Sequence, residues 1–340
     1  MGAARVREPR AVGDGTVHDP QEGALAEHVR AVLDRHRQAG ARKSEDHDSE
    51  GSGGPVWDVR VDDLWCTATP RARELPPQGW KIHVSAATHH AVAVLDRVCD
   101  IVVPRGVAFK CAADTQLLHM LNSRESDRSS SGKFITVYPH DDAGFTELAD
   151  ALDAATRGFV GPGIMSDRLY RPGGIVHYRY GGFTGQARLG NDGAYRPVLT
   201  APDGTEVEDS REAWFAPPAW APDPLAGTRT VTTAQDPGTA SSTGRPPAAA
   251  AGGTGSAGGG GVSVAGRFSV SAAIRHSAKG GVFVGTDTVT GADVVVKQAR
   301  AHIEVDHSGR DAHAALRHES ELLLRLGDTG LTPRHVALVE

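Results

Sequence analysis

The stretch Trp80–Ser85 reads WKIHVS, and strand alternation puts Lys81 and His83 on one face. Lys110 follows the apolar run Val107-Ala108-Phe109. An apolar surround lowers an amine's pKa and prepares it to take a proton; the competing reading is an edge lysine that guards a strand against aggregation. Arg128 precedes the Ser-rich turn Ser129–Gly132, which leads into Lys133 and Tyr138, and Arg168 and Arg179 flank a later turn. Taken singly, each arginine reads equally well as exposed surface. Converging beside a Lys/His pair, they suit a dianionic phosphate, which the guanidinium fork grips bidentately. Only six of the 36 basic residues are lysine: Lys43, Lys81, Lys110, Lys133, Lys279 and Lys297. In so Arg-rich a chain, a retained lysine points to what arginine cannot do, which is lose its proton.

These side chains need elements to hold them. Residues 55–225 read as a folded α+β domain. Strands are expected at Trp80–Ser85, Val107–Cys111, Lys133–Tyr138 and Ile175–Tyr180. Helices are expected after Thr88, over Thr115–Leu121, and after a cap at Asp141 or Asp142, with Phe145, Leu148, Ala149 and Leu152 on one face. Residues 1–54 are polar and read as an N-terminal arm containing one amphipathic helix over about 22–38 (Leu25, Val29, Val32, Leu33). Residues 226–263, with AAAAGGTGSAGGGG, read as a flexible linker.

Residues 264–340 restart as a meander of strands at Arg267–Ile274, Gly281–Gly285 and Asp293–Lys297, then a helix over Asp311–Leu326. A turn with Gly280-Gly281, a strand ending VVVK at Lys297, and a helix carrying Glu319 resemble the start of a protein-kinase N-lobe. There a glycine-rich turn covers the ATP phosphates, and the strand lysine pairs with a helix glutamate. Lys297 and Glu319 stand 22 residues apart, and Glu321 lies on another helix face. The bland alternative is a small meander with a solvated lysine. No H-R-D loop or D-F-G metal site precedes Glu340, so this segment alone is expected not to transfer phosphate.

Composition narrows the class. With 41 Gly, 20 Pro and 39% hydrophobic residues, one compact domain cannot fill all 340 residues. No apolar run approaches the ~20 residues of a membrane span, and the start has no apolar signal region. A net charge of −6 argues against bulk nucleic-acid binding. Cys66, Cys99 and Cys111 have neither metal nor disulfide spacing, which points to a reducing cytoplasm and thiols without a special role. No metal site is expected.

GWKIHVS, GKFITVYP, SDRLYRPGGIVHYRYGGF and WFAPPAWAPDPL resemble the N-terminal lyase domain of class III and class IV lanthipeptide synthetases. The resemblance covers roughly residues 55–340, with a kinase-like segment following in the family's order. It implies an α+β architecture: a mixed α/β lyase domain similar to bacterial effector phosphothreonine lyases, a Gly/Ala-rich linker, and a partial kinase N-lobe. In that family the kinase phosphorylates Ser and Thr of a precursor peptide, and the lyase eliminates phosphate to leave dehydroalanine or dehydrobutyrine. Carried over, Lys110 is the base, His83 the acid, Lys81 and Tyr138 their companions in the site, and Arg128, Arg168 and Arg179 the phosphate ligands, with Arg171 competing for the last place. A second lysine often precedes the base by two residues; Ala108 stands there. Gly280, Gly281, Lys297 and Glu319 map onto ATP binding. The lyase needs no cofactor, whereas ATP or GTP with Mg belongs to a complete kinase domain. The expected partner is the leader-core precursor peptide, with no nucleic acid or membrane; a homodimer is compatible. Two further readings stand beside this one: the front end of a Ser/Thr kinase, and a non-catalytic module that binds phosphopeptide or leader peptide.

Overall fold

The computed structural model describes residues 24–45, 55–127, 129–209, 215–226 and 262–340. The architecture is α+β. Helix α1 spans Leu25–Glu45; strands β1 (Trp57–Val61), β2 (Trp65–Pro70) and β3 (Gln78–Val84) follow. Next come helix α2 (Ala91–Val102), β4 (Phe109–Ala112), α3 (Thr115–Leu121), β5 (Ile135–Val137), α4 (Asp142–Ala155), β6 (Arg168–Leu169) and β7 (Val176–Gly182). The seven strands form one antiparallel sheet in the order β1-β2-β4-β5-β3-β7-β6.

Alternation divides this sheet into two faces with different chemistry. One face presents Trp80, Ile82, Val84, Phe109, Cys111, Ile135, Val137, Val176 and Tyr178, all buried in the main core. Helices α2 and α4 supply Val94, Leu95, Val98, Leu148 and Leu152 to the same core. Asp141 caps α4 by accepting from the Gly144 amide at 2.7 Å. The opposite face carries the polar side chains of the site.

Three features depart from the sequence reading. The N-terminal helix is no arm outside the domain. Leu25, Ala26, Val29, Val32 and Leu33 are buried in the main core, and the Ala26 amide donates to the Ala113 carbonyl at 2.9 Å. Its apolar stripe seals a part of the sheet's helical side that α2 and α4 leave open. The helix also runs on to Glu45, past the end near residue 38 that its apolar spacing suggested. Strands β1 and β2 add a hairpin at the sheet edge that the sequence reading lacks. A three-stranded sheet of β8 (Ala187–Leu189), β9 (Tyr195–Thr200) and β10 (Glu206–Glu208) follows β7.

The C-terminal segment is a four-stranded antiparallel sheet of β11 (Val262–Val264), β12 (Phe268–Ser277), β13 (Gly280–Asp287) and β14 (Asp293–Ala299), followed by α5 (Ala312–Leu326). Asp311 caps α5 through the Ala314 amide. Residues 1–23 and 227–261, which include nearly all of the expected linker, lie outside the described residues.

Candidate active site

The polar face holds its side chains in transverse rows. In the first, Thr67, Lys110, Thr136, His83 and His177 are successive cross-strand partners on β2, β4, β5, β3 and β7. In the second, Lys81 pairs with Arg179. Tyr138 directly follows β5 on the face of Thr136. Lys110 and His83 are thus two strands apart, about 10 Å at a strand spacing of ~4.8 Å.

His83 is deeply enclosed among these groups, 4% exposed. Its Nδ1 is bonded to the Asp167 carboxylate, itself 2% exposed. A carboxylate only accepts, so Nδ1 carries the hydrogen and Nε2 is the nitrogen left for other chemistry. Burial pulls the imidazole down to about 3, against the upward pull of Asp167. Burial alone raises the Asp167 carboxyl; His83 and Lys133 outweigh it and hold it well below the usual carboxylate range. Lys133 Nζ stands 3.6 Å from Asp167 Oδ1, and Ser166 Oγ donates to the same oxygen at 2.7 Å. His177 does related work beside it: Nε2 accepts from the Ile164 amide at 3.3 Å and Nδ1 donates to the Ile175 carbonyl at 3.1 Å, which fixes the loop that leads to Asp167.

Two cations lie next to this group. Lys81 and Arg179 are 9% and 8% exposed. Arg179 Nη2 donates to Asp209 Oδ1 at 2.6 Å. Gly181 leaves room for both partners: a Cβ there would meet Asp209 Oδ2 and Lys81 Cε, each at 3.3 Å. Tyr138 is 7% exposed and packs edge-on against Phe183. Lys110 is half-buried, its ammonium 4.1 Å from the centroid of the Trp65 ring. It therefore leans toward β2, although its Cα belongs to the row of His83.

Residues 46–237 match the family model of the RamC N-terminal domain. The chain belongs to that family. It is also 39% identical over 277 residues to a probable SapB synthase of Streptomyces coelicolor, a match covering 82% of this chain and 27% of that relative. The chain thus spans about a quarter of the curated relative's length, and the resemblance to lanthipeptide synthetases read from the sequence stands. Among solved structures, the VirA (SpvC) phosphothreonine lyase effector of Chromobacterium violaceum matches with a TM-score of 0.30 and 14% identity, over 46% of this chain and 84% of that one. The phosphothreonine lyase SpvC from Salmonella matches with a TM-score of 0.31 and 11% identity, over 45% and 89%.

Within the RamC N-terminal domain, the expected site residues divide. Lys81, His83, Lys110, Tyr138 and Arg179 share the polar face. Arg168 does not. It pairs with Tyr178, a residue of the helical face, and its guanidinium lies on Asp223 and 4.2 Å from the centroid of the Phe215 ring. Expected as a phosphate ligand, it is instead a structural ion pair on the far side of the sheet. Arg171, the competitor for the place of Arg179, binds Asp150 and Asp153, also away from His83. Arg128 lies outside the described residues.

In the C-terminal segment Lys297 is ion-paired with Glu319, the expected partner, and Glu321 lies near His318. Gly280 and Gly281, expected in a turn, are strand residues paired with Ala299 and Gln298. The turn is the two-residue Ala278-Lys279. A Cβ on Gly280 would stand 1.9 Å from the Gln298 carbonyl oxygen, so this glycine lets β13 approach β14.

Sequence reasoning missed Asp167, Lys133 and Asp209 as members of the polar group. Lys133 carried a signal, being one of the six lysines. Asp167 carried only its place ahead of Arg168; Asp209 carried none. Among the described residues, no group of three or more His, Cys, Asp or Glu side chains could hold a metal ion, and no helix is long and apolar enough to cross a membrane.

Proposed function

We propose that this chain eliminates phosphate from phosphoserine and phosphothreonine of a precursor peptide, leaving dehydroalanine and dehydrobutyrine. The observation that carries this reading is the sharing of one sheet face by Lys81, His83, Lys110 and Arg179, with His83 oriented from behind by Asp167. β-Elimination needs a base for the Cα proton, an acid for the leaving oxygen, and positive charge on the phosphate.

Lys81 and Arg179, joined by Arg128, hold the phosphate. Lys110 rotates from Trp65 toward Thr136 and, as a neutral amine, takes the Cα proton. The Cα–H electrons form the new double bond as the Cβ–O bond breaks. Protonated His83 gives its Nε2 proton to the departing oxygen. A bound dianion beside the imidazole favours its charged form and recruits that proton. Tyr138, on the same face, helps to position the phosphate. The step uses no cofactor, because the substrate brings its own leaving group.

The C-terminal segment is inferred to be the start of a kinase N-lobe, supported by the Lys297–Glu319 pair. ATP or GTP with Mg would serve a complete kinase domain. Three buried free thiols suit a cytoplasmic setting.

Incubation with a synthetic peptide containing phosphoserine and phosphothreonine tests the reading by mass spectrometry. Loss of phosphoric acid, with a product that a thiol then adds to, is the expected result. Recovery of the free hydroxyl would make the chain a phosphatase. Binding without mass change would make it a non-catalytic phosphopeptide module.

A further inference from the structure

A residue of the C-terminal segment reaches two loops of the N-terminal domain that lie behind the polar face. Arg300 directly follows β14, three positions past Lys297. Its Nη1 donates to Ser131 Oγ at 3.1 Å and to the Ala278 carbonyl, and its Nη2 donates to the Gly163 carbonyl. One guanidinium thereby ties together the 129–133 turn, the 161–167 loop and the Ala278-Lys279 hairpin.

The two loops matter because of what they carry. The 129–133 turn ends in Lys133 and the 161–167 loop ends in Asp167, the two groups set against each other behind His83. Ser131 is fully buried. Gly132 adopts φ +81°, and a Cβ on it would sit 3.3 Å from the Gly163 carbonyl oxygen and 3.4 Å from Arg300 Nη2. The loops and the guanidinium are therefore closely packed, and a side chain at Gly132 would have to push them apart by a few tenths of an ångström. On the other side, Gly161 presses on the end of β3, where a Cβ would lie 2.7 Å from Ser85 Oγ.

Arg300 is held in place from its own segment. Its amide donates to the Lys279 carbonyl at 2.9 Å. Downstream, Ile303 is fully buried, and the Glu304 amide donates to the Asn122 carbonyl at 2.8 Å. The Glu304 carboxylate lies 3.1 Å from Lys279 and 3.3 Å from Arg124. His302 and Glu304 sit at φ 58° and 56°, a backbone conformation costly for side-chain-bearing residues and kept here by these contacts. Burial pulls the Arg300 guanidinium down to about 10, and it stays charged at neutral pH.

We propose that Arg300 is a positioning residue of the elimination site: by clasping the Ser131 turn to the Gly163 loop, it keeps Lys133 and Asp167 registered on His83. The inference deepens the lyase reading and rests on it. It also makes the lyase site depend on a segment 169 residues away in sequence from Ser131.

The test uses the full chain with Arg300→Gln, Arg300→Lys and the milder Ser131→Ala. Two readouts are taken: the kcat/KM split for phosphopeptide elimination, and the His83 ring-nitrogen NMR signals of ¹⁵N-histidine-labelled protein. The expected result for Arg300→Gln is a kcat reduced about tenfold or more, a KM within threefold of wild type, and a His83 that samples both tautomers. Arg300→Lys should recover part of the rate, and Ser131→Ala should shift kcat and the His83 signals in the same direction by less. Wild-type kcat and His83 signals in Arg300→Gln would overturn the proposal. So would a rate loss that tracks falling thermal stability while the His83 signals stay fixed in the folded Ser131→Ala protein. A tautomer change in Arg300→Gln, with a wild-type chain that eliminates nothing, would support the clasp and refute the lyase reading.

Discussion

Asp167 holds the Nδ1 edge of His83 in a bond closed to solvent, so this imidazole meets any reactant through Nε2 alone. Burial keeps it neutral near pH 7.

That neutrality has a cost measurable in folding. His83 sits at about 3 and His177 at about 4 in the fold, while both take up protons near 6.5 once unfolded. Their contribution is complete above about pH 7 and is lost as pH falls from 6.5 toward 3. Urea unfolding at several pH values should give a stability that declines from about pH 7 to pH 5, and His83→Gln should lower the slope by about one proton. A flat profile would contradict the neutral burial of these rings.

Lys110 offers a sharper test of chemistry. Lys110→Ala should reduce elimination by about a thousandfold or more, with phosphopeptide affinity within threefold of wild type. Lys110→Arg should be equally inactive, since a guanidinium keeps its proton. Unchanged dehydration, read by mass, would remove Lys110 from the mechanism.

The two arginines of the SDRLY…HYRY stretch should part company. Arg179→Ala removes a buried cation beside Lys81 and should weaken phosphopeptide binding tenfold or more, about 1.5–3 kcal/mol. Arg168→Ala breaks a partly exposed pair with Asp223 and should cost about 1–2 kcal/mol of stability, with little change in Kd. Isothermal titration and urea unfolding separate the two effects.

Helix α1 is the fourth test. Leu25 is fully buried, so Leu25→Ala should destabilise the domain by about 2–5 kcal/mol. A peripheral arm would give a change near zero. Chemical denaturation decides between them.

How much of this was legible in the sequence follows from where periodicity is long enough to read. β3, β4, β5 and β7 alternate clearly, and with them came the shared face of Lys81 and His83. In β1, WDVRV does alternate, but over only five residues, and the sequence reading passed over it; β2 ends in Pro70 and announces no strand. β8 and β10 have three residues each, and every residue of β8 is exposed, so they leave almost no pattern. The misplacement of Arg168 has the same root. β6 contains two residues and no period of its own; only its pairing with Tyr178 decides its face. Asp167 reaches His83 across 84 residues, a distance that local spacing cannot encode.

The alternation of β3 also constrains how this chain can vary. Losing or gaining one residue between Trp80 and Val84 would turn part of that strand over, driving an ammonium or an imidazole in among Phe145 and Leu152 and setting Ile82 or an indole where the charged groups belong. Length drift in related chains should therefore collect in the connections, such as those between β8 and β10, and spare the interior of the central strands. Grafting this face onto another scaffold would demand the same parity on all five strands that bear it.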